Sequence, residues 1–155
     1  RNNKFIVKQN ELFGIIDKDE NVIIPIEFNE ISNWVEYGPK EHFVTKNGKK
    51  GLISREGEIV IPTEYDEIWV DNSKLIKVKN GGLYGTIDWE NKIVHPIRYE
   101  QIFWEWPYLT QEPLDTIYVK ENGRYFSTKT NGKVIEQNVS EKMIDEKFGY
   151  LLEYE

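Results

Sequence analysis

The sequence predicts an all-β protein made of repeated units of antiparallel strands, and three observations support this prediction. An 18-residue pattern that begins at Gly14 returns at Gly51 and again at Gly85 without gaps. The spacings of 37 and 34 residues between these glycines are typical of stacked supersecondary units. The chain contains no alanine, which is the best helix former. It is rich instead in the β-branched and aromatic residues that strands favour.

The repeat also fixes the residue type at three positions after each glycine. A proline follows eleven residues later, an aromatic residue three residues after the proline, and an isoleucine three residues after the aromatic. Since aromatic side chains dominate protein cores, the aromatic residues are predicted to be buried where the repeats stack. The equivalent residues are Pro25, Pro62 and Pro96; Phe28, Tyr65 and Tyr99; and Ile31, Ile68 and Ile102.

A fourth copy of the pattern is degenerate. Phe126 takes the place of the glycine, and an ungapped alignment puts Gln137, Ser140 and Met143 at the proline, aromatic and isoleucine positions. A terminal copy has one neighbour instead of two, so departures from the pattern are expected there.

The four copies predict a single β-repeat domain over residues 1–155. Such repeats either stack as an open superhelix or close like a propeller, and the sequence leaves both arrangements open. The predicted repeats are about 5–31, 43–68, 76–102 and 117–143.

Each repeat is predicted to contain three strands joined by tight turns. Asn47-Gly48, Asn80-Gly81 and Asn122-Gly123 are hairpin signals, because both residues tolerate a positive φ. The third strand begins with consecutive apolar residues, as in Val22-Ile23-Ile24, which predicts burial on both faces. No helix is predicted, and residues 150–154 are interpreted as a strand.

Several of these segments resemble the bacterial WG-repeat family, named for its tryptophan–glycine repeats. The resemblance is carried by Gly85-Thr86-Ile87-Asp88, by Val60-Ile61-Pro62 and by Tyr65-Asp66. It implies a β-repeat fold and interaction roles, and it carries over no catalytic residues. At the position of the name-giving tryptophan this chain has Phe13, Lys50, Tyr84 and Tyr125.

Composition excludes several classes of function. The chain has no cysteine, so disulfides, thiolate catalysis and cysteine-ligated zinc are excluded. Its net charge of −7 disfavours nucleic acid as a direct ligand and suits a basic protein partner. No apolar run approaches the roughly 18 residues of a membrane span, and no signal-like segment follows Arg1. We therefore expect no membrane contact and no cofactor. The sequence leaves the location open, with the cytoplasm favoured.

Candidate catalytic and metal-binding residues have simpler interpretations. His95 stands where other repeats have isoleucine and is interpreted as a tolerated substitution near the sheet surface, while His42 is expected to be solvated. Residues 17–21 resemble the start of a calcium loop, but Val22 and Phe28 occupy positions that would need Gly and Glu. We interpret this segment as a hairpin turn.

Tryptophans that follow the last isoleucine of a repeat are the best lead to a binding site. Their ring positions fit either packing between repeats or an exposed aromatic row, since aromatic residues are enriched in both settings. In the second case, the link at 103–115 and the preceding link would form an acidic and aromatic patch. The predicted partner-binding residues are Trp104, Glu105, Trp106, Tyr108, Glu112, Asp115, Trp69, Asp71 and Glu67.

These observations predict a non-enzymatic protein-binding repeat module. An acidic immunity or antitoxin protein that neutralises a basic toxin, such as a nuclease, is one specific form of this hypothesis. The alternative is a module that binds carbohydrate or a cell surface through exposed Trp and Tyr side chains. Neither the identity of the partner nor the oligomeric state follows from the sequence.

Overall fold

The computed structural model describes residues 4–32, 41–70, 74–104 and 115–152, with side chains up to Gly149. Within these ranges most residues lie in strands, and one helix is present, so the all-β repeat prediction is confirmed. The strands are β1 (Lys4–Gln9), β2 (Leu12–Asp17), β3 (Val22–Phe28), β4 (Glu30–Ile31), β5 (His42–Lys46), β6 (Lys49–Ile53), β7 (Ile59–Tyr65), β8 (Glu67–Val70), β9 (Ile76–Asn80), β10 (Leu83–Ile87), β11 (Ile93–Tyr99), β12 (Gln101–Phe103), β13 (Thr116–Glu121), β14 (Arg124–Lys129) and β15 (Val134–Val139). The helix is α1 (Glu141–Leu152).

The chain divides into two compact units. The first comprises Arg1–Asn72 and Trp89–Asn91, and the second comprises Ser73–Asp88 and Lys92–Glu155. In the first unit the sheets run β1-β2-β3 and β4-β5-β6-β7. In the second unit β11, β10 and β9 are paired in that order, and the other sheet runs β12-β13-β14-β15.

The first hairpin has the same register in all four repeats. The glycine, or Phe126 in the fourth repeat, always faces a valine on the preceding strand: Val7, Val44, Val78 and Val119. Asn47 and Asn122 have φ values of 53° and 51°, as the Asn-Gly turn prediction requires. In the third repeat the turn residues are Gly81 and Gly82 rather than Asn80 and Gly81, because Asn80 pairs with Leu83.

A bulge explains why glycine recurs at the centre of the first three repeats. A Cβ atom on Gly51 would lie 2.6 Å from the carbonyl oxygen of Ile61, and one on Gly14 would lie 2.7 Å from that of Ile24. The partner strand crosses so closely there that only glycine fits without displacing backbone. The extra residues of the bulge include the repeated proline, which has no N–H to leave unpaired.

The fourth repeat has a shorter bulge, which accounts for its departures from the pattern. Tyr84 and Thr86 of the third repeat face Tyr99 and His95, which are four residues apart. In the fourth repeat, Tyr125 and Ser127 face Val139 and Glu136, which are three residues apart. Val139 therefore occupies the aromatic position, and the ungapped placement of Ser140 there is wrong.

The third strand of each repeat is buried on one side only. In the first three repeats its first residue is exposed and its third is buried, as with Val22 at 61 % and Ile24 at 0 % exposure, whereas in the fourth repeat only Val139 at its end is buried. The predicted burial on both faces is therefore wrong, because this strand lies at the outer edge of its sheet. The predicted burial of the repeated aromatic residues is confirmed for Phe28, Tyr65 and Tyr99.

The end of one repeat supplies a short strand to the sheet of the next repeat. The prediction of three strands per repeat missed this short strand. Residues at the end of the first repeat form β4 and pair with β5 of the second. In the same way, β12 at the end of the third repeat pairs with β13 of the fourth. Each of these sheets is therefore completed by the repeat that precedes it.

Helix α1 follows the fourth repeat, at the place where the first and third repeats are followed by the short strands β4 and β12. The predictions of no helix and of a strand over residues 150–152 are therefore wrong. Ser140 accepts a hydrogen bond from the backbone N–H of Met143 through its Oγ, over 3.3 Å, and so caps the helix. Ile144 and Phe148, four residues apart, are both fully buried against a cluster that includes Phe103 and Tyr125. This burial outweighs the strand propensity of the aromatic and β-branched tail.

Candidate interaction surface

Every repeat exposes an apolar side chain at the same position, soon after its second turn. We call these four residues the apolar row: Val22, Ile59, Ile93 and Val134. Their exposed fractions are 61 %, 69 %, 62 % and 48 %, whereas Ile24 and Ile61, two residues further along their strands, are fully buried. Solvent exposure of large apolar residues is ordinary for single positions, but here it recurs at the equivalent position of every repeat.

Acidic turns precede the apolar row in the first three repeats. The Asp17 carboxylate accepts hydrogen bonds from the N–H groups of Asp19 and Asn21, over 2.8 and 2.9 Å. Ser54 and Asp88 hold the equivalent turns in the same way. Each turn is therefore a fixed loop that places carboxylates beside the exposed apolar residue.

The interpretation of residues 17–21 as a hairpin turn is confirmed. Hydrogen bonds from the Asn21 side chain and backbone lower the pKa of Asp17 below its usual value, so the carboxylate is occupied by its own loop. Among the described residues, no cluster of three or more His, Cys, Asp or Glu side chains has the arrangement of a metal site.

The turn of one repeat covers the outer strand of the repeat before it. Gly57 packs so closely on the carbonyl oxygen of Ile23 that a Cβ would collide with it, and Gly132 approaches the carbonyl oxygen of Val94 in the same way. Ile23 and Val94 are consequently only partly exposed. The apolar row lies one residue earlier in each strand and stays exposed.

Four of the predicted partner-binding residues have described surroundings. Trp104 is 8 % exposed and lies in a core cluster of the second unit, which fits packing between repeats. Trp69 is 37 % exposed. Glu67 pairs with Lys50, and Asp115 pairs with Lys129.

The other five predicted partner-binding residues lie outside the described residues: Asp71, Glu105, Trp106, Tyr108 and Glu112. The binding role of the whole patch stays a prediction. The apolar row was not predicted, although its signal is present in the sequence as a repeated Val or Ile soon after each second turn.

His95 is buried rather than near the sheet surface, at 1 % exposure. Its Nε2 lies 3.1 Å from the carbonyl oxygen of Lys129, which can only accept, so Nε2 carries the proton. Nδ1 then accepts a hydrogen bond from the Thr86 hydroxyl over 2.6 Å. Burial lowers the pKa of His95 below its usual value, which keeps the ring neutral.

The Thr128 hydroxyl completes this network. Its Oγ1 lies 2.9 Å from Nε2 of His95, from which it accepts a hydrogen bond, and it donates to the carbonyl oxygen of Lys129 over 3.4 Å. Both ring nitrogens of His95 are therefore engaged. This histidine holds the third and fourth repeats together and leaves no ring nitrogen free to act as a base.

His42 is also buried, at 9 % exposure, and the expectation that it is solvated is wrong. It begins β5, and its Nδ1 lies 3.1 Å from the carbonyl oxygen of Ser32, to which it donates. The ring therefore ties the start of the second repeat to the segment that follows β4.

An open groove of about 670 Å³ lies within the first unit. Its walls include the apolar side chains of Ile6, Phe13 and Phe43, and the polar ones of Glu30 and Lys50. Glu30 accepts a hydrogen bond from the Thr45 hydroxyl and Lys50 pairs with Glu67, so both side chains already have partners in the fold. The groove has the character of a wetted gap between sheets rather than of a reactive centre.

The family comparison agrees with this architecture. The model of the WG containing repeat matches residues 13–40 and 51–84, which run from one glycine motif toward the next. These segments are WG repeats. The resemblance identified in the sequence is therefore confirmed, with Phe13 and Lys50 at the tryptophan position.

No curated protein and no solved structure matches the chain. In the described part of the chain, no helix is both long and apolar enough to cross a bilayer.

Proposed function

We propose that this chain is a non-enzymatic protein-binding module and that the equivalent residues of the apolar row, two in each compact unit, are its contact residues. The proposal rests on one observation: Val22, Ile59, Ile93 and Val134 are exposed at the same place in all four repeats. Repeat proteins bind through side chains that each repeat presents at an equivalent position. Desolvation of such apolar side chains supplies the affinity of most protein interfaces.

Charge favours a basic partner. The net charge is −7, and the turns beside the row carry Asp19 and Glu20 in the first repeat and Glu56 and Glu58 in the second. Carboxylates at the rim of an interface accelerate association with a basic protein, and salt weakens this effect. A basic toxin such as a nuclease is therefore the first partner class to test.

The chemistry of the described residues supports a binding role over catalysis. His95 is buried, and both of its ring nitrogens are hydrogen-bonded, to Thr86, Thr128 and the Lys129 backbone carbonyl. Carbohydrate binding through stacked rings has less support, because Trp104 is buried and contributes no exposed platform.

Substitution in the row tests the proposal. Partners would be captured from lysate of the source organism by the parent and by an Ile59→Ser/Ile93→Ser variant, and then purified for calorimetry. We expect the double variant to lose at least about tenfold in affinity, because two exposed apolar contacts are removed while folding is unaffected.

Leu83→Ser is the matched control, since Leu83 is 39 % exposed but lies outside the row. Equal affinity of the parent and the double variant for every captured partner would overturn the proposal. A partner set consisting of glycans, detected by glycan array, would replace it with the carbohydrate alternative.

A further inference from the structure

Strand β1 lacks the short strand that completes later sheets. In the first unit, β4 pairs with β5 through Glu30 opposite Thr45 and Ile31 opposite Val44. In the second unit, β12 pairs with β13 in the same register. The sheet of the first repeat runs β1-β2-β3, and no strand of the described residues lies on the outer side of β1.

Exposure shows the consequence of the missing strand. Phe5 is 49 % exposed, whereas the equivalent residues His42 and Ile117 are 9 % and 0 % exposed. Ile6 is 38 % exposed as well. The first repeat therefore presents an open edge beside apolar side chains, the arrangement that extended peptides recognise by adding a strand.

The bonds made by β4 specify what the edge would accept. The backbone N–H of Asn29 donates to the carbonyl oxygen of Thr45 over 2.8 Å, and that of Ser32 donates to the carbonyl oxygen of Phe43 over 2.9 Å. The Asn29 side chain also accepts a hydrogen bond from the Asn47 N–H over 2.8 Å, which caps the turn.

The segment around β12 repeats this recognition with a different residue type. Glu100 donates its N–H to the carbonyl oxygen of Lys120 over 2.8 Å and accepts from the Gly123 N–H over 3.1 Å. The shared pattern is an amide or carboxylate residue, then Glu or Gln, then Ile. It is present as Asn29-Glu30-Ile31, Asp66-Glu67-Ile68 and Glu100-Gln101-Ile102.

Charge complements this pattern at β1. Lys8 stands at the position of Thr45, whose hydroxyl donates to the Glu30 carboxylate over 3.2 Å. Lys8 pairs with Glu11, and their side chains are 47 % and 88 % exposed, so the Lys8 ammonium can also attract a second carboxylate. Lys4 adds another positive charge to the same strand.

We propose that the outer edge of β1 is a docking site for an extended segment of a partner protein with the sequence amide or acid, Glu or Gln, then Ile. This is the form of the end of a WG repeat. The site is separate from the apolar row, and the two can fail independently. A second copy of the chain would have to release β4 or β12 from its own sheet, so a different molecule is the expected donor.

The test uses an acetylated, amidated peptide with the sequence of residues 63–70, TEYDEIWV, and the full chain. Hydrogen exchange followed by NMR is expected to slow by about tenfold or more at the amides of Ile6 and Lys8 when the peptide saturates the site. A peptide carrying Trp69→Pro lacks the backbone N–H equivalent to that of Ser32, which donates to the carbonyl oxygen of Phe43, and should bind at least about tenfold more weakly.

Two protein variants locate the site. Lys8→Glu is expected to weaken peptide binding about fivefold at low salt, whereas Lys18→Glu, on an exposed turn, should have no effect. Ile59→Ser should also leave peptide binding unchanged, which separates this site from the apolar row.

Three outcomes would overturn the proposal. The first is equal binding of the two peptides, or no slowing at Ile6 and Lys8. The second is protection of these amides in the free protein at low concentration, which would mean that another segment of the chain covers the edge. The third is protection that rises with protein concentration together with a dimer mass in sedimentation, which would make a second copy the occupant.

Discussion

The two compact units place different chemistry at the same buried position of the repeat. In the first unit, Ile15 faces Ile24 and Leu52 faces Ile61, and all four side chains are at most 2 % exposed. In the second unit, Thr86 faces His95 with equal burial. The backbone register and the bulge are the same in these first three repeats, so the bulge defines their common structure and the buried pair is free to be apolar or polar.

The condition for a polar pair is that every buried polar atom finds a partner. The first unit needs none at this position, because its pairs are hydrocarbon. The second satisfies His95 with Thr86 on one side and with Thr128 and the Lys129 carbonyl on the other. In the described residues, no buried side-chain nitrogen or oxygen is left without a hydrogen bond.

Placing histidine in the first unit tests this condition most severely. Ile61→His puts an imidazole opposite Leu52, which offers no hydrogen bond, so we expect the free energy of unfolding to fall by about 3 kcal/mol. Urea denaturation followed by circular dichroism measures the change. Ile59→His, at an exposed position of the same strand, should stay within about 0.5 kcal/mol of the parent. Equal losses for the two variants would show that the local partner set does not matter.

Filling the bulge glycine tests the feature that the units share. Gly51→Ala places a Cβ 2.6 Å from the carbonyl oxygen of Ile61, so the backbone must shift at an expected cost of about 1–3 kcal/mol. Gly149→Ala in α1 meets no atom within 4 Å and should stabilise the protein by up to about 1 kcal/mol through helix propensity. Thermal melts of both variants check the opposite signs, and a neutral Gly51→Ala would contradict the bulge explanation.

A double variant tests whether the polar pair of Thr86 and His95 can be converted to an apolar one. Thr86→Leu and His95→Ile each remove one partner of a buried hydrogen bond, and we expect each to cost about 1–2 kcal/mol. The double variant restores a pair like Leu52 with Ile61, so it should recover about 1 kcal/mol relative to the sum of the single changes. Strictly additive losses in a double-mutant cycle would show that the two side chains act independently.

The smallest expected effect is a difference in pH response between the units. The lowered pKa of His95 means that stability is full above about pH 6.5, the value for a free histidine, and falls with acidification toward the pKa of the folded state. In the first unit, burial and the adjacent Glu64 carboxylate raise the pKa of Tyr65 to about 12. Stability from this phenol is full below about pH 10 and is lost as the pH rises from there to about 12.

Variants assign each limb of this pH profile. His95→Ile should flatten the acid limb and leave the alkaline one, while Tyr65→Phe should do the reverse. Denaturant midpoints measured across the pH range provide the comparison. An acid limb that persists in His95→Ile would have to come from other groups.

The repeat itself could be predicted from the sequence because its chemistry is local. Glycine, proline and aromatic residues at fixed spacing predicted the strands, the turns and the burial of Phe28, Tyr65 and Tyr99. The environment of His95 could not be predicted, because two of its partners lie on the fourth repeat, more than 30 residues away. In a sequence alignment, His95 is only an exception at an isoleucine position.

The helix was missed for a related reason. Met143 fits the isoleucine position only if the fourth repeat has the full spacing, and the shortened bulge removes that constraint. The burial of Ile144 and Phe148 then depends on Phe103 and Tyr125, which local propensity does not include. The apolar row was not predicted from the sequence for a further reason. Val22 and Ile59 are exposed because they lie on edge strands, and the sequence alone did not identify which strands are edges.

The short strands β4 and β12, which one repeat supplies to the next, have a consequence for how such chains change length during evolution. Since β4 and β12 complete the sheet of the following repeat, the structural module is offset from the repeat seen in the sequence. A tandem duplication of one full period, which is 34 or 37 residues between glycines, regenerates every strand pairing wherever its endpoints fall. Genes for proteins of this type can therefore gain or lose whole periods by recombination at arbitrary breakpoints, and each product inherits a complete set of pairings.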